Sequence, residues 1–84
     1  MPEISRFYGI IIRMYFQSSE HNPPHIHAIY QKDIIAITIS DFKVLSGTIP
    51  DKAKSLVIEW MKIHQKELLE MWNSQKFKTI DPLL

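Results

Sequence analysis

The sequence predicts an α+β domain: a small antiparallel β-meander of three or four strands with one long C-terminal helix packed across one face. Three observations carry that reading. Residues 4–49 are dense in β-branched and aromatic side chains, and turn-forming clusters interrupt them. After Pro50 the apolar spacing changes to i, i+3, i+4 and continues to Met71 without a Gly or Pro. The 84 residues contain no linker, repeat or low-complexity segment, so residues 1–84 form a single domain.

Taken in order, "ISRFYGIIIRMYF" reads as one long first strand, with Gly9 as a bulge or a point of close approach. "SSEHNPP" is a connecting loop of turn formers. "HIHAIY" is the second strand, "QKD" a short turn and "IIAITI" the third strand. "SDFK" is a further turn, leading into a short "VLSGTI" strand. The meander therefore spans about residues 4–49. "DKAKSLVIEWMKIHQKELLEMW" is rich in helix formers and predicts a helix over about residues 51–73. Pro50 and Asp51 suit its start, where backbone N–H groups are free and negative charge is favoured. Ala53, Leu56, Val57, Trp60, His64, Leu68 and Met71 form its apolar stripe. Trp72 is read as drifting off that stripe, free to anchor a partner. Residues 74–84 are a tail, with Lys76 and Lys78 solvated and Phe77 and Ile80 available to cover the far side of the sheet.

Composition narrows the function classes. An apolar fraction of 45% with two Trp, four Phe and three Tyr is enough to fold. Ten basic against nine acidic residues give a net charge of +1, which leaves room only for a local basic patch. There is no cysteine, so any transition-metal site must be built from imidazole and carboxylate. The N-terminus lacks a secretory pattern and no apolar run approaches membrane-spanning length, so the expectation is a cytoplasmic protein without a membrane partner.

Strand alternation divides the faces. Tyr8, Ile10, Ile12, Met14 and Phe16 form the more uniformly apolar set, on which the helix is expected to pack. Phe7, Ile11, Arg13 and Tyr15 form a mixed set, expected to look outward beside His25, His27 and Ile29. Such a mixture of aromatic, apolar and basic groups suits an interface or a substrate platform.

The stretch "EHNPPHIHAIY" holds three of the chain's four histidines. His25-x-His27 sets two imidazoles side by side on one strand. With His21, and with Glu20 as an oxygen donor, they can hold a divalent metal such as zinc. Without a metal, a histidine of near-neutral pKa can serve as general acid or base. Arg13 then stabilises developing phosphate charge, and Tyr15 or Tyr8 orients the substrate. In the structural alternative, Pro23 and Pro24 pre-set an extended chain and the histidines hydrogen-bond loop carbonyls. His64, inside the helical stripe, is either a satisfied histidine paired with Glu67 or a group that meets His25 or His27 across the helix–sheet contact.

These residues also carry a family resemblance. "ISRFYGIIIRMY", "HNPPHIHAIY", "LSGTIP" and "LVIEWMKIHQKEL", in that order, resemble the bacterial domain of unknown function 4160 over roughly residues 2–73. Its signature positions match Arg6, Phe7, Tyr8, Gly9, Arg13, Met14, Pro23, Pro24, His25, His27, Trp60 and His64. The turn "SDFK" departs from the pattern in lacking a glycine. The resemblance implies a gene paired with a second small gene, similar to toxin–antitoxin modules. On that analogy the expected function is a toxin-like component acting on RNA through His25, His27, Arg13 and Tyr15. Arg6, Phe7, Tyr8, His64 and Glu67 are its candidate binding residues. An antitoxin-like protein or a second copy is the expected partner. The alternatives are a non-enzymatic protein-binding module using the open sheet face, and a small metal-binding protein using His21, His25 and His27.

Overall fold

The computed structural model describes residues 3–15 and 23–84. Five strands and one helix follow in sequence: β1 (Glu3–Phe7), β2 (Ile10–Arg13), β3 (His25–Tyr30), β4 (Asp33–Thr38), β5 (Val44–Gly47) and α1 (Asp51–Ser74). Every strand pairs antiparallel with its sequence neighbours, in the order β1-β2-β3-β4-β5. The meander with a single long helix is the expected α+β architecture, with one strand more than the pattern suggested.

The extra strand comes from the first segment, which is a hairpin and not one long strand. Tyr8 and Gly9 both adopt left-handed backbone, at φ 49° and 80°. Left-handed conformation at both central residues is the geometry of the two-residue turn that matches strand twist. The turn changes the expected faces. Phe7 pairs with Ile10, is 6% exposed, and its ring centroid stands 5.6 Å from that of Trp60. It belongs to the core, while Tyr8 sits at the hairpin tip, 60% exposed.

The helix covers one side of the sheet. Ile4, Phe7, Ile10, Ile12, Ile26, Ala28, Ile35 and Ile37 from the strands, with Met14 just after β2, form one buried cluster with Ala53, Val57, Trp60, Met61, Leu68, Met71 and Trp72. Trp72 is 6% exposed and continues the stripe four residues beyond Leu68, so it is not a free anchor. The helix backbone departs from helical dihedrals at His64 (φ −110°, ψ 15°). It ends at Gln75, which is left-handed and donates its N–H to the Met71 carbonyl at 2.9 Å. Gln65 Nε2 donates to the carbonyls of Ile39 and Ser40, at 2.8 and 3.0 Å, tying the helix to the β4–β5 connection. That connection carries Phe42 in left-handed backbone (φ 58°), at the turn that lacks a glycine.

The tail does not fill the open face. Ile80 donates its N–H to the Ile4 carbonyl at 2.7 Å, and Trp60 Nε1 donates to the Asp81 carbonyl at 2.8 Å. Ile80 is buried and Phe77 partly buried against the helix-side cluster. The tail therefore lies along the β1 edge and closes the core from that side.

Candidate functional site

With the tail accounted for, the face opposite the helix is built by register alone. Arg13 pairs directly with His27 and Ile11 with Ile29 across β2–β3. Across β3–β4, His25 pairs with Thr38 and His27 with Ala36. Directly opposed residues share a face, so these side chains lie together. Arg6, opposite Ile11, joins them from β1.

At the centre stand two imidazoles whose ring centroids are 5.1 Å apart, His25 and His27. Tyr15 meets His27 edge-on at 4.5 Å. His25 Nδ1 lies 2.8 Å from the Pro23 carbonyl oxygen. A carbonyl only accepts, so Nδ1 carries the proton and Nε2 keeps its lone pair. The two prolines thus do more than extend the chain: one of their carbonyls sets the tautomer. Trp72 reaches His25 from the last turns of α1 at 5.1 Å.

Two nitrogens at the centre have no partner among the described residues. His27 Nδ1 and Arg13 Nε are both shielded from solvent and make no hydrogen bond. Leaving such a group unpaired in a folded protein costs roughly 1–3 kcal/mol. Burial, and then the neighbouring His25 charge, hold the His27 pKa below the ordinary imidazole value. His27 is therefore biased toward its neutral form.

Arg6 takes the β1 edge of that face, and the remaining candidates fall elsewhere. Arg6 is exposed and bidentate to Glu3, with N···O distances of 2.7 and 3.2 Å. That hydrogen bond, with the charges of Arg6 and Arg13, draws the Glu3 carboxyl below its usual range. His64 is close to Trp60 (5.3 Å), and its Nδ1 is 3.5 Å from Glu67 Oε1. Lys78 Nζ, 2.8 Å from Glu67 Oε2, lowers the Glu67 pKa chiefly by that hydrogen bond. His64 and Glu67 thus form a helix–tail network separate from the sheet-face contacts of His25 and His27. His21 and Glu20, the other expected donors of a metal site, lie outside the described residues. Among the described residues no three His, Cys, Asp or Glu side chains converge to hold an ion.

The molecule is thus a five-stranded meander backed by one helix, with an Arg–His–His–Tyr group on the other sheet face. A protein-family model described as a domain of unknown function (DUF4160) matches residues 9–73, and the chain belongs to that family. The match takes in Arg13, Tyr15, His25, His27, His64 and Glu67; Arg6, Phe7 and Tyr8 precede it. No curated protein and no solved structure matches the chain. Among the described residues no helix is long and apolar enough to cross a membrane.

Proposed function

We propose that the chain is the toxin-like component of a bacterial two-gene module and cleaves RNA at His25, His27 and Arg13, with Tyr15 orienting the substrate. The observation that carries this reading is the convergence of an unpartnered guanidinium nitrogen and two imidazoles 5.1 Å apart on one open sheet face. His27, neutral through burial, takes the proton of a ribose 2′-hydroxyl. The 2′-oxygen attacks the adjacent phosphorus and the 5′-oxygen leaves, taking the Nε2 proton of His25 in its doubly protonated form, which is left with the Nδ1 proton that it shares with the Pro23 carbonyl. The products are a 2′,3′-cyclic phosphate and a 5′-hydroxyl. Arg13 faces the non-bridging oxygens, where charge accumulates.

The test is growth of a bacterial host on induction of the wild type and of a His25→Ala/His27→Ala variant, with folding of both followed by circular dichroism. The expected outcome is arrest by the wild type and normal growth with the folded variant. Arrest by both removes the histidines from the activity, and arrest by neither removes the toxin reading.

A second reading rests on a different part of the surface. Ile34, Val44 and Leu45 are 51%, 42% and 44% exposed, and every residue of the edge strand β5 is exposed. In this reading the sheet docks a small partner protein without chemistry. Tyr15→Ala or Ile34→Asp then weakens association, and His25→Ala leaves it unchanged.

A further inference from the structure

The tip of the β1–β2 hairpin contains a residue that burial does not explain, although its ring meets that of Phe7 edge-on at 6.4 Å. Its turn needs left-handed backbone at two positions, which Asn, Asp and Gly supply readily. Gly9 meets that need, but Tyr8 does not: a bulky side chain is disfavoured at φ 49°. Nor does Tyr8 gain much burial, since it is 60% exposed. A strained aromatic residue standing in solvent points to a role outside the fold.

Tyr8 forms one wall of a cleft of about 330 Å³, lined also by Ile10, Tyr30, Pro50, Lys52 and Leu56. That volume lies at the lower end of small-molecule sites. Tyr30 packs beside Gly9, where a Cβ would lie 3.6 Å from its Cε1. The lining is apolar apart from two phenols and one ammonium. Lys52 is the only charged residue that lines the cleft, and it has no ion pair among the described residues. Two aromatic rings beside an apolar floor suit a flat ring, and an unpaired ammonium suits an anion.

We propose that this cleft binds a planar ring that carries an anionic group, with a mononucleotide as the chemical class. The ring lies against Tyr8 and Tyr30, and the phosphate meets Lys52. The site is distinct from the imidazole cluster. Tyr30 is three residues beyond His27 on β3 and packs against the helix-side core. It stands whether or not the chain cleaves RNA.

The experiment is titration of the purified protein with adenosine 5′-monophosphate and uridine 5′-monophosphate, read by NMR chemical shifts. Adenosine (ring without anion) and ribose 5-phosphate (anion without ring) serve as controls. Saturable shifts of Tyr8 and Tyr30 are expected with the nucleotides. Tyr8→Asn is expected to weaken binding about tenfold, the loss of one stacked base. Because Asn suits left-handed backbone, that variant keeps or raises the thermal midpoint. Lys52→Gln, an exposed change, weakens nucleotide binding and leaves adenosine binding unchanged. The proposal is overturned by the absence of saturable nucleotide binding up to about 10 mM. It is also overturned by equal affinity of Tyr8→Asn, or by ribose 5-phosphate binding as tightly as the nucleotides.

Discussion

At the scale of single residues, His27 and Arg13 are held at a cost in stability, and the proposed function is what would use them. Each keeps a shielded nitrogen without a partner. Replacing Arg13 by Met removes a buried donor and keeps the aliphatic stem, so stability is expected to change by less than about 1 kcal/mol or to rise. The same change is expected to abolish RNA cleavage. Urea denaturation and a cleavage assay on one preparation check both. His27 predicts a pH dependence whose sign follows from its depressed pKa. Above about pH 6.5 the folded and unfolded chains are both neutral at this position. Below it the unfolded chain binds a proton that the folded chain resists, so stability falls as pH drops from about 6.5 through the lowered folded value. Thermal midpoints between pH 7.5 and pH 5 are expected to decline less steeply in His27→Gln than in the wild type.

At the scale of elements, legibility depended on how clearly each period was interrupted. The helix was readable because its apolar spacing runs unbroken from Ala53 to Met71, and Trp72 extends that same spacing into the core. The first hairpin was hidden because "RFYGIII" keeps apolar side chains on both sides of the turn and has no Asn or Asp at its tip. Only Gly9 marked the position. That one misread turn placed Phe7 on the open face and Tyr8 toward the helix, whereas the stretch after it kept its phase and brought Arg13 to His27. The tautomer-setting carbonyl of Pro23 and the reach of Trp72 to His25 are long-range geometry, and no local pattern records them. Gly47 shows the same limit. Its φ is 77°, and a Cβ there would meet the Ile34 carbonyl oxygen at 2.1 Å, a close approach fixed by β4–β5 pairing. Gly47→Ala is expected to cost more than about 1 kcal/mol by urea denaturation, with β5 losing amide protection first.

At the scale of the whole molecule, one helix and a returning tail close one side of a five-stranded sheet, and the other side carries the Arg13–His27 pair. The tail is held by the Ile80–Ile4 and Trp60–Asp81 hydrogen bonds and by Lys78 on Glu67. Truncation after Gln75 is expected to cost about 3 kcal/mol, from burial of Ile80 and two hydrogen bonds. That is a large share of the roughly 5–15 kcal/mol that holds a small domain together, and calorimetry would read it directly. The central claim concerns the open face. Its most direct test is incubation of a single-stranded RNA oligonucleotide and its deoxy counterpart with purified protein in the presence of a chelator, followed by analysis of the ends formed. The wild type is predicted to cut only the RNA, leaving a 2′,3′-cyclic phosphate, and folded His27→Ala to cut at least about 100-fold more slowly. An inert wild type, or a folded His27→Ala that cuts at the wild-type rate, would contradict it.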